Sequence, residues 1–317
     1  MEIISNPTQA EIKKAAQALK DGNLVAFPTE TVYGLGADAT NENAVSRVYS
    51  VKGRPTGHPL IVHISSIIQL GKWVVDIPEY AIKLAKEFWP GPMTLILKRS
   101  EIAKYFITGG QENVGVRVPS HPIALALLIE FEELGGLGVA APSANRFGAI
   151  SPTTRSAVHE ELGDYLCGKD SILDGGACIV GVESTIIDCT RGSPLILRPG
   201  ALTLESIEKC IGMPVESFKS ETKASGLLES HYSPKATVLL DVLASSGDGF
   251  IALETVPTPT GAIRLASPAT IEQFAVEIYE ALRLGDRKGI KKIIVAQPNG
   301  DGLALAIRDR LGKAATG

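Results

Sequence analysis

Short apolar runs alternate with amphipathic stretches along the first two thirds of the chain. The apolar runs have the length of buried strands, and they read NLVAF (23–27), LIVHI (60–64), MTLILK (93–98), NVGVRV (113–118), LGVAA (137–141), STIIDC (184–189) and PLILRP (194–199). The stretches between them show helical spacing, as in AEIKKAAQALKDG (10–22), where Ile12, Ala16 and Leu19 share one face. Interleaving of this kind predicts an α/β fold in which helices pack on an open mixed sheet.

The pattern stops near Val215. The next stretch, ESFKSETKASGLLESHYSPK (216–235), is polar and has no sustained periodicity, which is typical of a linker. Strand-like and helical runs return after it, among them ATVLLDV (236–242), KKIIVAQP (291–298) and the helical LALAIRDRLGKAA (303–315). We therefore predict a large domain over residues 1–215, a linker over 216–235 and a small Rossmann-like α/β domain over 236–317.

Composition narrows the range of functions. The formal net charge is −4 over 317 residues, so no strong global field would attract nucleic acid or an anionic membrane. The four cysteines are far apart, without the spacing of a zinc site. The first residues lack the pattern of a signal peptide, and no apolar segment approaches the ~20 residues that cross a bilayer. These features favour a cytoplasmic protein with reduced thiols and no membrane partner.

A basic loop, VKGRPTGHPLIVHI (51–64), follows one of the helical stretches. It contains Lys52 and Arg54, and no Asp or Glu occurs between Asn43 and Val75. A solvated loop would explain a lone Lys-x-Arg pair. An acid-free window of this length also favours a site for an anion.

Small polar side chains follow several of the predicted strands. PTETVYGLG follows NLVAF, APSANRFGAISPTT begins at the last residue of LGVAA, and Ser184 and Thr185 begin STIIDC. We expect the glycines after PTET to bend the chain and to let the backbone approach a ligand. A turn with a helix N-cap near Thr154 would equally explain the second segment.

Two arginines stand at strand-like runs. Arg117 lies inside NVGVRV and Arg198 follows PLIL. A buried arginine is costly unless it meets an anion, although a structural ion pair would also account for Arg117. Open α/β sheets bind ligands beyond their strand ends. These segments together predict one acid-poor pocket for a phosphate-rich ligand, without a P-loop or a convincing dinucleotide fingerprint.

The ordered set FPTETVYGLG, KGRP…PLIVHI, VGVRVP, APSAN…SPT and GVESTIID…LRPGA resembles the YrdC-type threonylcarbamoyl-AMP synthase family. The linker and the small last domain resemble the two-domain form of that family. The resemblance implies a twisted α/β domain with a concave basic cavity. It also implies an ATP-dependent nucleotidyltransferase that makes threonylcarbamoyl-adenylate and pyrophosphate from L-threonine, bicarbonate and ATP, with Mg²⁺ accompanying the ATP. The product is expected to pass to a tRNA threonylcarbamoyl transferase complex, and direct tRNA contact is possible but not required.

Site residues follow from the resemblance by matching position, with Lys52 and Arg54 expected to be catalytic. The residues expected to bind ATP are Lys52, Arg54, His58, Asn113, Ser143, Asn145, Ser151, Arg198 and Tyr232. Those expected to bind threonine are Thr31, His63, Arg117, Ala141 and Ser184. His58 stands where the family usually has asparagine. The linker is expected to lie over the active site, with Tyr232 near the nucleotide.

Two other functions remain open at this point. The basic cavity of an RNA-binding module could clamp RNA without catalysis, although the charge of −4 and the few interleaved aromatics argue against a broad RNA footprint. A related carbamoyl-adenylate enzyme would transfer its group to another acceptor, but such enzymes normally carry extra domains.

Overall fold

The protein contains two sheets, each packed against helices. The structure is a computed structural model that describes residues 1–216 and 232–316. The larger sheet has ten strands in the order β1-β8-β2-β3-β7-β4-β6-β5-β9-β10. In chain order they are β1 (Glu2–Ser5), β2 (Val25–Phe27), β3 (Gly34–Asp38), β4 (Ile61–His63), β5 (Met93–Lys98), β6 (Asn113–Arg117), β7 (Val139–Ala140), β8 (Ser171–Asp174), β9 (Thr185–Asp188) and β10 (Leu195–Arg198).

Eight α-helices accompany this sheet among the described residues. They are α1 (Gln9–Lys20), α2 (Glu42–Lys52), α3 (Leu70–Trp73), α4 (Glu79–Phe88), α5 (Tyr105–Thr108), α6 (Pro122–Glu133), α7 (Arg155–Leu162) and α8 (Leu204–Ile211), with short 3-10 turns at Ile67–Gln69 and Gly163–Tyr165. Parallel and antiparallel pairs both occur, for example β4 with β6 and β2 with β3. The predicted α/β class with an open mixed sheet is confirmed.

The second sheet is small and entirely parallel. Its order is β11-β14-β12-β13, and its elements are β11 (Thr237–Leu240), β12 (Gly249–Ile251), β13 (Ile263–Ala266), α9 (Ile271–Arg287), β14 (Lys292–Val295) and α10 (Leu303–Ala315). Most of the predicted linker, 217–231, lies outside the described residues, so its path over the site stays a prediction. Within the described parts of the chain, no helix is both long and apolar enough to cross a membrane.

The boundaries of α2 explain how Lys52 and Arg54 are placed. The Asn41 side chain caps α2 by accepting from the Ala44 amide, and Gly53 ends the helix with a left-handed φ of 62°. A residue with a side chain would be strained in that conformation, so glycine is favoured there. The chain therefore leaves α2 immediately after Lys52, and Arg54 begins the loop that leads to β4.

Candidate functional site

A cavity opens beyond the strand ends of the large sheet. It encloses about 550 Å³ of empty space, part of it open to solvent. Its walls come from eight chain segments: Thr29, Thr31, Val32, Tyr33 and Gly34; Arg54; Ile61 and His63; Arg117; Ala141, Pro142 and Ser143; Glu183 and Ser184; Arg198; and Tyr232. Residues as far apart as Thr29 and Tyr232 thus share one site.

The loop between β2 and β3 is organised by its own hydroxyls. Thr29 Oγ1 donates to the Val32 carbonyl at 2.6 Å and accepts from the backbone amides of Thr31 and Val32, both at 3.2 Å. The hydroxyls of Thr29 and Thr31 lie 2.8 Å apart. Such side-chain to backbone bonds fix a tight turn, so Thr31 faces the cavity from a rigid loop.

The glycines after this loop do not bend the chain. Gly34 and Gly36 lie inside β3, which pairs antiparallel with β2. A Cβ on Gly36 would come within 2.8 Å of Phe27 and Val139, and one on Gly34 within 3.3 Å of Ala141. The expectation of a bend was therefore wrong, since these glycines allow close packing inside the sheet. The close approach at Gly34 does bring the backbone to the cavity wall.

Arg117 lies at the end of β6 and is held by two groups. Its Nη2 donates to Glu30 Oε1 at 2.5 Å, and its Nε donates to the Gly91 carbonyl at 3.3 Å. The second carboxylate oxygen of Glu30 accepts from the Ser120 amide at 3.0 Å. The ion pair that the sequence left open for Arg117 is present. Because Arg117 also lines the cavity, the pair fixes the guanidinium at the wall.

His63 is the cross-strand partner of Arg117 in the parallel pair β4 and β6. Burial, and then the positive charge of Arg117, lower the pKa of His63 to about 3. The ring is therefore neutral at neutral pH. Its Nδ1 is buried and has no hydrogen-bond partner among the described residues, while the residue itself lines the cavity.

We expect this neutral ring to make stability depend on pH. The folded pKa of about 3 lies below the ordinary value of 6.5, so stability is complete above pH 6.5 and falls as the unfolded chain takes up a proton below it. Between pH 7.5 and 5 the free energy of unfolding of the wild type should fall. In His63→Gln this fall should be about 2 kcal/mol smaller. Chemical denaturation at both pH values measures this, with exposed His159→Gln as control. An NMR titration in which the His63 ring gains a proton between pH 6 and 7 would contradict it.

Arg198 and Ser184 form a second contact group. Arg198 donates to the Ser184 carbonyl from Nε at 3.1 Å and from Nη2 at 2.9 Å, and Nη2 also lies 3.1 Å from the Ser184 hydroxyl. Behind them, the Thr94 hydroxyl lies 2.8 Å from that of Ser184. Burial lowers the pKa of Arg198 below its usual range. A buried guanidinium of this kind is stabilised by an anion.

The Lys-x-Arg pair divides into two environments. Arg54 lines the cavity and donates to the Pro59 carbonyl at 3.0 Å, and burial lowers its pKa to about 10. Lys52 is fully buried, and its Nζ lies 2.5 Å from the carbonyl oxygens of both Ser143 and Asn145. Burial and then Arg54 lower the pKa of Lys52 well below its usual range. In this structure Lys52 therefore anchors the loop that carries Ser143.

Five of the fourteen predicted residues do not line the cavity: Lys52, His58, Asn113, Asn145 and Ser151. Asn145 is buried and donates to the Arg146 and Ala149 carbonyls at 2.8 and 2.7 Å, which shapes the loop. His58 packs against the Phe147 ring with centroids 5.3 Å apart. Asn113 begins β6, at the opposite end of that strand from Arg117. The roles of all fourteen residues stay predictions.

An acidic residue lines the cavity, although the sequence segments predicted no acid there. Among the described residues, three arginines and one carboxylate, Glu183, line the wall. Glu183 Oε2 accepts from Arg310 Nε at 2.8 Å and from the Tyr279 hydroxyl at 2.9 Å. Burial would raise its pKa, but Arg310 and Arg198 lower it to about 2. Glu30 is neutralised in the same way by Arg117, so the cavity remains cationic.

Sequence reasoning missed the residues that hold these groups in place. Glu30 lies in FPTETVYGLG and Glu183 lies in GVESTIID. A carboxylate next to several hydroxyl side chains was the sequence feature that could have indicated them. Tyr279 and Arg310 belong to α9 and α10, where helical spacing explains each residue without any functional role. No local pattern would have identified them.

Family models match almost the whole chain. The Sua5/YciO/YrdC model, described as telomere recombination, matches residues 17–200. The chain belongs to this family. A second model, described as the C-terminal domain of threonylcarbamoyl-AMP synthase, matches residues 202–316. The family match therefore extends over both sheets.

Relatives that align over the full chain are named threonylcarbamoyl-AMP synthase, as in the description of the second model. The threonylcarbamoyl-AMP synthase of Pyrococcus abyssi is 43% identical and aligns with 96% of this chain and 94% of its own. That of Bacillus subtilis is 40% identical over 100% of this chain and 95% of its own. The crystal structure of P. abyssi Sua5 complexed with L-threonine superposes with a TM-score of 0.89 at 39% identity, covering 99% of this chain and 97% of that chain. The two-domain arrangement is thus shared along the entire length.

Proposed function

We propose that this protein is a threonylcarbamoyl-AMP synthase, an enzyme that joins L-threonine, bicarbonate and ATP into threonylcarbamoyl-adenylate and releases pyrophosphate. The observation that carries the proposal is a single cavity lined by Arg54, Arg117 and Arg198 beside a rigid, hydroxyl-bearing loop. Relatives named for this activity align over the full chain. P. abyssi Sua5, which superposes along the whole chain, has been crystallised with L-threonine, and this supports an amino-acid subsite in the present protein.

The threonine subsite is formed by two strand residues, by two residues that lie next to strand ends, and by the loop between β2 and β3. Arg117 is oriented by Glu30 and suits a bidentate grip on the amino-acid carboxylate. His63 is neutral and its ring lies at the cavity wall. Thr31 and Ser184 supply short hydroxyls that match a polar side chain, and the backbone at Ala141 completes the wall. A zwitterion with a small hydroxyl group fits this set.

The nucleotide subsite uses the remaining cations. Arg54 and Arg198 line the cavity and suit the triphosphate, while Ser143 and Tyr232 lie on the same wall. Threonine's amine captures carbon dioxide as a carbamate, and a carbamate oxygen then attacks the α-phosphorus of ATP while pyrophosphate leaves. The protein needs no nucleophile of its own for this step. It holds two anions in contact and stabilises the charge that develops on the phosphates.

Magnesium fits this site only as a partner of the phosphates. Glu183 is the carboxylate on the cavity wall, and its Oε2 is already held by Arg310 and Tyr279. Across residues 1–216 and 232–316, no group of three or more His, Cys, Asp or Glu side chains could hold a metal ion. Mg²⁺ would therefore be bound by phosphate oxygens and water, where it would neutralise the charge of the leaving pyrophosphate.

The adenylate would be consumed by a separate tRNA threonylcarbamoyl transferase complex in the cytoplasm. RNA binding without catalysis is less well supported. The net charge is −4, and Arg54, Arg117 and Arg198 line a local cavity rather than an extended basic surface of the kind that follows an RNA backbone. Direct tRNA contact is not needed for the proposed reaction.

Pyrophosphate release should require both threonine and bicarbonate, because the carbamate is the attacking group. Release from ATP is measured in complete mixtures and with each substrate omitted in turn, using carbon-dioxide-depleted buffer for the bicarbonate arm. Valine serves as the control amino acid, since it keeps the zwitterion and the branched shape but lacks the hydroxyl. Equal release without threonine would contradict the proposed function.

A further inference from the structure

The last helix of the small domain extends a side chain to the wall of the cavity. Arg310 lies on α10 and its side chain is fully buried. Its Nε donates to Glu183 Oε2 at 2.8 Å, and its Nη2 lies 3.4 Å from the Glu183 carbonyl oxygen. Its Nη1 is paired with Asp309 at 2.6 Å. One guanidinium thus joins the two domains next to the site.

Tyr232 is held by the same group. The guanidinium carbon of Arg310 lies 5.8 Å from the centre of the Tyr232 ring. Tyr279, on α9, stacks on that ring with centroids 5.6 Å apart and planes inclined by 24°. The Tyr279 hydroxyl donates to Glu183 at 2.9 Å. Tyr232 lines the cavity with a positive φ of 65°, a conformation that its neighbours must stabilise.

Glu183 connects this group to the arginine on the phosphate side. It is followed directly by Ser184, whose carbonyl accepts two hydrogen bonds from Arg198. The small domain therefore fixes two lining residues, Glu183 and Tyr232, and through the Glu183–Ser184 backbone it restrains Arg198. Neither Arg310 nor Tyr279 lines the cavity.

We infer that Arg310 and Tyr279 are positioning residues, by which the small domain holds Tyr232 and the Glu183–Ser184 segment in the geometry that binds the nucleotide. This inference rests on the proposed function for the identity of the nucleotide. It gives the small domain a task at the active site. Buried arginine and tyrosine side chains suit that task because each combines a planar contact with a directed hydrogen bond.

The test compares two buried arginines at the same domain interface. Arg283 also joins α9 to the large domain, donating to Glu161 at 2.7 Å and to the Ile150 carbonyl, and neither of these two acceptors belongs to a lining residue. ATP binding by the full-length chain is measured by calorimetry without threonine, together with thermal unfolding. Arg310→Met should weaken ATP binding at least tenfold, whereas Arg283→Met should change it less than twofold at a comparable loss of thermal stability. Arg310→Lys should restore part of the affinity, since it keeps the charge toward Glu183.

Tyr279 provides a second test if Arg310→Met does not fold. Tyr279→Leu should weaken ATP binding at least fivefold by removing the stacked ring, and Tyr279→Phe should lose less because the ring remains. The inference is overturned if Arg283→Met weakens binding as much as Arg310→Met, or if the Arg310→Met and Tyr279→Leu proteins bind ATP as the wild type does. A wild-type protein that binds no ATP would instead overturn the proposed function.

Discussion

Arg117→Ala should raise the threonine concentration needed for half-maximal rate by about 10- to 150-fold, with little change in ATP binding. The reason is the loss of a charge-assisted contact to the amino-acid carboxylate, worth about 1.5–3 kcal/mol. Steady-state pyrophosphate release at varied threonine measures the first effect, and calorimetry with ATP measures the second. Arg54→Ala is the reciprocal control and should mainly weaken ATP binding.

The variant also leaves Glu30 buried without its cation, which can destabilise the fold by about 3–5 kcal/mol. Glu30→Gln combined with Arg117→Met removes both charges and keeps the volume, so it separates stability from binding. The double variant should recover stability but not threonine affinity. An unchanged threonine response in Arg117→Ala would refute the assignment, as would unchanged ATP binding in Arg54→Ala.

Gly181→Ala should loosen the small domain from the large one. Gly181 has a φ of +79°, and a Cβ there would lie 2.2 Å from the Ala275 carbonyl oxygen and 2.4 Å from the Val276 Cα, both on α9. Neither neighbour can move without displacing the helix backbone. We expect a loss of stability about 1–3 kcal/mol beyond the cost of the positive φ. Faster amide exchange in α9 and weaker ATP binding should accompany it.

Gly176 offers a matched control for this variant. It has a φ of +82°, but nothing lies within 4 Å of the position of its Cβ. Gly176→Ala therefore imposes the same backbone strain without the clash, and it should cost about 1–2 kcal/mol with α9 unaffected. Equal stability and equal exchange in the two variants would show that α9 does not depend on close contact at Gly181.

The strands with continuous apolar runs could be predicted from sequence because burial on both faces leaves a clear pattern. MTLILK became β5 over the same six residues, and NVGVRV became β6 with one residue fewer. Three strands of the large sheet were missed. Glu2–Ser5 is short and mostly exposed, Gly34–Asp38 contains two glycines, and Ser171–Asp174 has polar residues at both ends. Their pairing in the folded sheet overrides weak local preferences.

The cavity could be predicted in part for a similar reason. Cations and hydroxyls at strand ends suggested one pocket, and nine of the fourteen predicted residues do line it. The orientation of Lys52 toward the carbonyls of Ser143 and Asn145 could not be predicted, because it depends on a contact across 91 residues. The hydrogen bond from Arg310 to Glu183 depends on how the small domain packs against the large one. The spacing of residues along the chain does not encode that packing.

The strand order has a consequence for how the chain matures during synthesis. Strand β2 pairs with β8, so the backbone pairing of Val25 with Ser171 can form only after Ser171 has left the ribosome. Contacts so distant along the chain carry a high loop-closure cost and slow folding. The N-terminal segments therefore remain incompletely paired while about half of the protein is made. Chaperone dependence and aggregation during translation are expected to concentrate in this interval, before the binding cavity exists.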